Sequence, residues 1–107
     1  MKTFGEIAQE HGMVFLIEEA TPLPADLKPG SKVWILSKTW TWKGKREYRE
    51  LRLTGMMQDA DDDTKEFWQA RMVAHLLGRE REIQGKPRDD EADRAAAHKI
   101  VRQEAAT

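Results

Sequence analysis

Apolar side chains fall along this chain in blocks of different period, and each block predicts an element. In "TFGEIAQEHG", Phe4, Ile7 and Ala8 share a helical face, Thr3 and Glu6 have the spacing of a capping box, and Gly12 suits a left-handed terminus. A short first helix is predicted. "MVFLIEEA" follows, and its five consecutive apolar residues, Met13 to Ile17, have the composition of a central strand covered on both faces. Pro22, Pro24, Pro29 and Gly30 mark "TPLPADLKPGS" as a connecting loop.

"KVWIL" opens a second strand, and Gly44 is the evident turn before a third. A three-residue loop of Trp42, Lys43 and Gly44 sets Thr41 opposite Lys45, Ile35 opposite Leu51 and Val33 opposite Leu53. Val33, Ile35, Leu51 and Leu53 then form the core side. A two-residue Lys43-Gly44 turn instead sets Trp34 and Leu36 opposite Leu53 and Leu51, because one residue of slip inverts one strand's faces. The first register is the expected one, since lysine is disfavoured at positive φ.

After "MMQDADD" a long helix is predicted from Asp63, with Asp62 or Asp63 as N-cap and Glu66 favouring its dipole. Trp68, Met72 and Leu76 recur at i, i+4 and i+8. Phe67, Ala70, Ala74 and Leu77 widen that stripe, which is expected to cover the sheet. "QGKPRDD" breaks the pattern before "EADRAAAHKIVRQEAA", a strong helix former anchored only by Ile100 and Val101. The expected fold is α+β: a short N-terminal helix, a three-stranded antiparallel meander, a long covering helix and a peripheral C-terminal helix. Residues 1–84 form the expected domain and 85–107 a helical extension, available for self-association.

Composition narrows the class. A chain of 107 residues fits one domain, with 39% hydrophobic and 35% charged residues giving a compact core under an ionic surface. The absence of cysteine removes disulfides, thiolate metal sites and thiol nucleophiles. With no signal-peptide pattern and no run near the ~20 apolar residues of a membrane helix, a cytoplasmic protein without a membrane partner is expected. The net charge of -1 is unevenly spread. Residues 32–55 hold seven basic against two acidic side chains, residues 1–31 two against five, and residues 56–107 nine against twelve. The hairpin is a positive island.

Catalytic signals are missing. His11, His75 and His98 are dispersed, Ser31 and Ser37 lie in no nucleophile elbow, and the glycines form no phosphate-binding loop. "DADDDTKE" resembles the start of a calcium loop, but Thr64 replaces the turn glycine and Ala70 the bidentate glutamate. Asp59, Asp61, Asp62 and Asp63 are therefore read as a solvated capping loop and a secondary acidic contact. No enzyme activity, metal or cofactor is expected.

The hairpin carries the functional expectation. Lys38, Trp40, Trp42, Lys43, Lys45, Arg46 and Tyr48 are the candidate partner-binding residues, combining cations with rings. Unpaired bases stack on such rings while lysine and arginine neutralise phosphates. Against this, tryptophan is more often packed than exposed, and basic stems can cover its edges. The element order is similar to that of double-stranded RNA-binding domains, whose second long helix begins with lysines that reach phosphates. Here that helix begins with Asp61, Asp62 and Asp63, which repel a backbone, so the resemblance stops at element order. The expected function is a small non-catalytic protein-interaction module, regulatory or inhibitory, such as a phage-encoded inhibitor of a host nucleoprotein or defence complex. Nucleic-acid binding through the hairpin is the alternative.

Overall fold

Thr3 caps the first helix as its spacing predicts. Its hydroxyl accepts the Glu6 N–H at 3.2 Å, and the Glu6 carboxylate accepts the Thr3 N–H at 3.1 Å, which closes both ends of the box. The computed structural model describes residues 2–20, 25–56 and 59–103. Helix α1 (Phe4–Glu10) turns through Gly12, at φ 75°, into β1 (Met13–Glu19). Strands β2 (Lys32–Trp42) and β3 (Lys45–Met56) complete an antiparallel sheet of order β1-β2-β3. Two helices follow, α2 (Asp62–Ile83) and α3 (Asp90–Arg102). This is the expected α+β order. Residues 21–24 of the predicted loop, 57–58 ahead of α2 and 104–107 of the predicted last helix lie outside the described residues.

The hairpin register departs from expectation. Lys43 and Gly44 form a two-residue turn at φ 51° and 79°, and Trp42 pairs with Lys45, Leu36 with Leu51 and Trp34 with Leu53. Trp34, Leu36 and Trp40 therefore point to the core, with Leu51 and Leu53 packed against it. A left-handed lysine costs about 1–2 kcal/mol. Burying one large apolar side chain recovers about 1.5–3 kcal/mol, and the primed turn also matches the twist of the strands. Core burial outweighs the turn's local preference. Val33 and Ile35 are buried too, on the opposite face, where Ile35 lies between Leu16 and Arg52 in the ladder. Beyond Thr54 the ladder shifts around Gly55, at φ 97°, where an added Cβ would stand 3.1 Å from Leu27.

Helix α2 begins with Asp61 as N-cap, its carboxylate accepting the Thr64 N–H at 2.7 Å, one or two residues before the expected cap. Ala70, Met72, Val73 and Leu76 form its buried stripe, with Trp68 and Leu77 at the margin. Phe67, expected in that stripe, is exposed beside it. Helix α3 runs antiparallel to α2 and adds Ala97 and Val101 to the same core. Ion pairs join the two helices near both ends, Arg81 with Asp93 at 2.8 Å and Arg102 with Glu66. Asp93 is buried beside Gly78, and its second oxygen, Oδ2, has no hydrogen-bond partner among the described residues.

Strand β1 is the second departure. It lies at the sheet edge, not the centre, and Val14, Leu16 and Ile17 are 55%, 53% and 50% exposed. Its packed side chains are the inward ones: Met13 is buried in the core, and Phe15 meets Phe4 at 4.7 Å and Trp34 at 5.6 Å, both edge to face. An apolar run encodes a preference for burial on two faces, but not the order of strands that supplies it. No helix among the described residues is long and apolar enough to cross a membrane.

Candidate interaction surface at the hairpin tip

The end of α2 decides which hairpin side chains are covered. Trp34, Leu36, Lys38, Trp40 and Trp42 alternate along one face of β2, the face on which α2 packs. Trp40 lies under the last turns of the helix and donates its indole Nε1–H to Glu80 Oε1 at 3.1 Å. Lys38 completes this bracket, with Nζ 3.6 Å from the same oxygen, 3.3 Å from the His11 carbonyl and 5.7 Å from the Trp40 ring. Helix α2 then stops at Ile83, with Gln84 as cap and Gly85 at φ 70°. Trp42 projects beyond it and is 38% exposed, whereas Trp34 and Trp40 are 4% and 7% exposed.

A groove of about 440 Å³ opens between the tip and the end of the helix, lined by Trp42, Lys43, Lys45, Glu47, Arg79 and Glu82 among others. Its carboxylates are engaged. Arg79 donates to Glu82 at 2.7 Å and to Glu47 at 3.4 Å, and the first bond holds the Glu82 carboxyl below its usual range. Lys43 sits 5.8 Å from the Trp42 ring centre, within cation–π range. Among the described residues, Lys43, Lys45 and Arg46 have no carboxylate at ion-pair distance. The tip thus offers one aromatic ring amid uncompensated positive charge.

The seven hairpin residues are not one cluster. Trp42, Lys43 and Lys45 line the groove at the tip, Lys38 and Trp40 belong to the bracket under α2, and Arg46 and Tyr48 face the side of the sheet away from the helix, Arg46 at the tip and Tyr48 behind it. Tyr48 donates its hydroxyl to Glu50 at 3.1 Å, and Arg52 donates to the same carboxylate at 2.8 Å; these bonds, that from Arg52 foremost, hold Glu50 below its ordinary range. Asp59, Asp61, Asp62 and Asp63 are exposed, and Asp61 is committed to its cap, where the Thr64 N–H lowers its carboxyl. Among the described residues, no three histidines or carboxylates stand where they would hold a metal ion. Arg79 and Glu82 were not among the sequence candidates; their i, i+3 spacing is readable, but their position beside the tip follows only from the length of α2.

Comparison of the chain with protein-family models, with curated proteins and with solved structures gave no match.

Proposed function

We propose that this chain is a non-catalytic protein-interaction module, a small regulatory or inhibitory protein that grips an acidic patch of its partner with the hairpin tip. The reading is supported above all by Trp42, an indole left open beyond the helix end among cations that have no carboxylate partner. Exposed tryptophan and arginine are the residue types that anchor protein interfaces. Lys43 adds a second support. It occupies a left-handed position where asparagine or glycine would be relaxed, and backbone strain of this kind concentrates at binding sites.

Nucleic acid is the weaker fit. Single-strand binders stack successive bases on several rings along one groove. Trp40 is turned inward and Tyr48 lies on the other face, so the tip has one ring to offer. A phage inhibitor of a host nucleoprotein or defence complex is one setting in which such a module would act.

Capture from the native source, with the tagged chain compared against Trp42→Ala and Lys45→Glu, tests the proposal. A protein retained by the native chain and lost with both variants is the expected result. If capture yields no such protein, and single-stranded DNA or RNA binds with a steep salt dependence that requires Lys45 and Arg46, the nucleic-acid reading replaces this one.

A further inference from the structure

Between β3, α2 and the start of α3, three depressions of the surface run into one another. The groove at the hairpin tip shares Arg79 and Glu82 with a second of about 230 Å³, and that one shares Ala74, His75 and Asp90 with a third of about 170 Å³. Arg71, His75 and Arg79 recur at i, i+4 and i+8 along α2, Arg49 comes from β3, and Arg88 and Arg94 come from either side of the start of α3. Seven lysines and arginines line this track against four carboxylates, in a chain whose net charge is -1. The carboxylates are engaged within the chain: Glu47 and Glu82 by Arg79, Asp90 by Arg88 and Asp93 by Arg81. Arg49, Arg71 and Arg94 are exposed and, among the described residues, have no carboxylate at ion-pair distance.

We infer that this track is the second half of the partner site and takes an extended acidic segment of the partner protein, a run rich in Asp or Glu; the inference rests on the reading of the tip as a protein-binding site. Arg71 and Arg79 stand two helical turns apart, ~12 Å along α2, about the span of four residues of extended peptide. Arg71 is held for such a contact. Its guanidinium carbon lies 5.7 Å from the ring centres of both Phe67 and Trp68, which meet edge to face at 5.2 Å. Rings at that distance orient the planar group, and its N–H fork, the donor set that grips a carboxylate two bonds at a time, is not spent on an acid of the chain. Phe67, 49% exposed outside the buried stripe of α2, thereby has a role that packing does not give it.

Carboxylates fit the track better than phosphodiesters. Glu47, Glu82 and Asp90 are set among the cations, so a backbone carrying a charge on every unit would be repelled at each of them. A peptide has neutral residues and backbone N–H donors between its charges, and sets those against the resident acids instead.

Fluorescence anisotropy with a labelled polyglutamate peptide tests the track directly. The native chain should bind it at low salt and release it as salt rises. The triple variant Arg49→Gln/Arg71→Gln/Arg94→Gln should weaken binding about tenfold with an unchanged circular dichroism spectrum, and Arg52→Gln, on the opposite face of the sheet, should change it little. An oligothymidylate of equal charge should bind less tightly than the peptide. No peptide binding at low salt, binding unaffected by the triple variant, or tighter binding of the oligothymidylate would overturn the inference. Partner capture separates the two halves of the site. A captured protein that survives the triple variant but not Trp42→Ala and Lys45→Glu overturns the track and leaves the tip, and the reverse result leaves the track and overturns the tip.

Discussion

The indole N–H of Trp40 reaches Glu80 at 3.1 Å, near the last point along the hairpin that α2 covers. Two residues on, Trp42 occupies the same face with the helix already ended. A difference of one strand repeat therefore separates a structural indole from a presented one.

Fluorescence quenching should resolve that sorting. Iodide should reach Trp42, and Trp68 in part, but not Trp34 or Trp40. Trp42→Phe should remove most of the quenchable emission. Iodide should also quench more strongly than caesium, because Lys43 and Lys45 concentrate anions at the tip. Equal quenching before and after Trp42→Phe would contradict the assignment.

Lys43→Asn should separate stability from binding. Asparagine tolerates the left-handed turn, so the urea midpoint should rise by the equivalent of about 0.5–1 kcal/mol with an unchanged slope. Loss of the tip cation should weaken partner capture in the same protein. A substitution that improves folding while impairing capture would mark the lysine as retained for contact.

The Arg81–Asp93 pair should show strong coupling. Arg81→Met leaves buried Asp93 without its donor and should destabilise by about 1–3 kcal/mol. The double variant Arg81→Met/Asp93→Leu should recover most of that loss, since replacing both partners by apolar groups removes the stranded acceptor. A double-mutant cycle in chemical denaturation reads the difference. Additive losses would show that the pair makes no coupled contribution.

Acid should weaken the helix caps. Glu6 and Asp61 are held below their ordinary values of 4.5 and 3.8, chiefly by the backbone N–H groups of Thr3 and Thr64. Their carboxylates therefore contribute stability that is complete above those values and is lost as pH falls through the lower folded-state values. Denaturation midpoints should decline below pH 4.5, and Glu6→Gln with Asp61→Asn should make that decline shallower while changing the neutral midpoint little. An unchanged acid limb would argue against the caps.

The sequence made the element order legible because its signals are local. Thr3 and Glu6 announce a cap, the proline cluster a loop, and the spacing of Trp68, Met72 and Leu76 a helix face. Register was not legible: the turn disfavours Lys43 at positive φ, and only the packing of Trp34, Leu36 and Trp40 under α2 reverses that preference. The place of β1 was hidden for a related reason, since Met13 to Ile17 specify burial without specifying a neighbour. Within the hairpin, the basic and aromatic composition was readable. The division between bracket and tip depended on where α2 ends, a distance that no stretch of the hairpin records.

Strand order in the sheet repeats the order of the chain, and α3 turns back along α2 immediately after it. β2 and β3 meet across a two-residue turn and α2 and α3 across residues 84–89, whereas residues 20–31 separate β1 from β2, the longest loop the sheet must close. No proline lies inside a described strand or helix and the chain has no cysteine, so neither prolyl isomerisation within those elements nor disulfide formation delays their assembly.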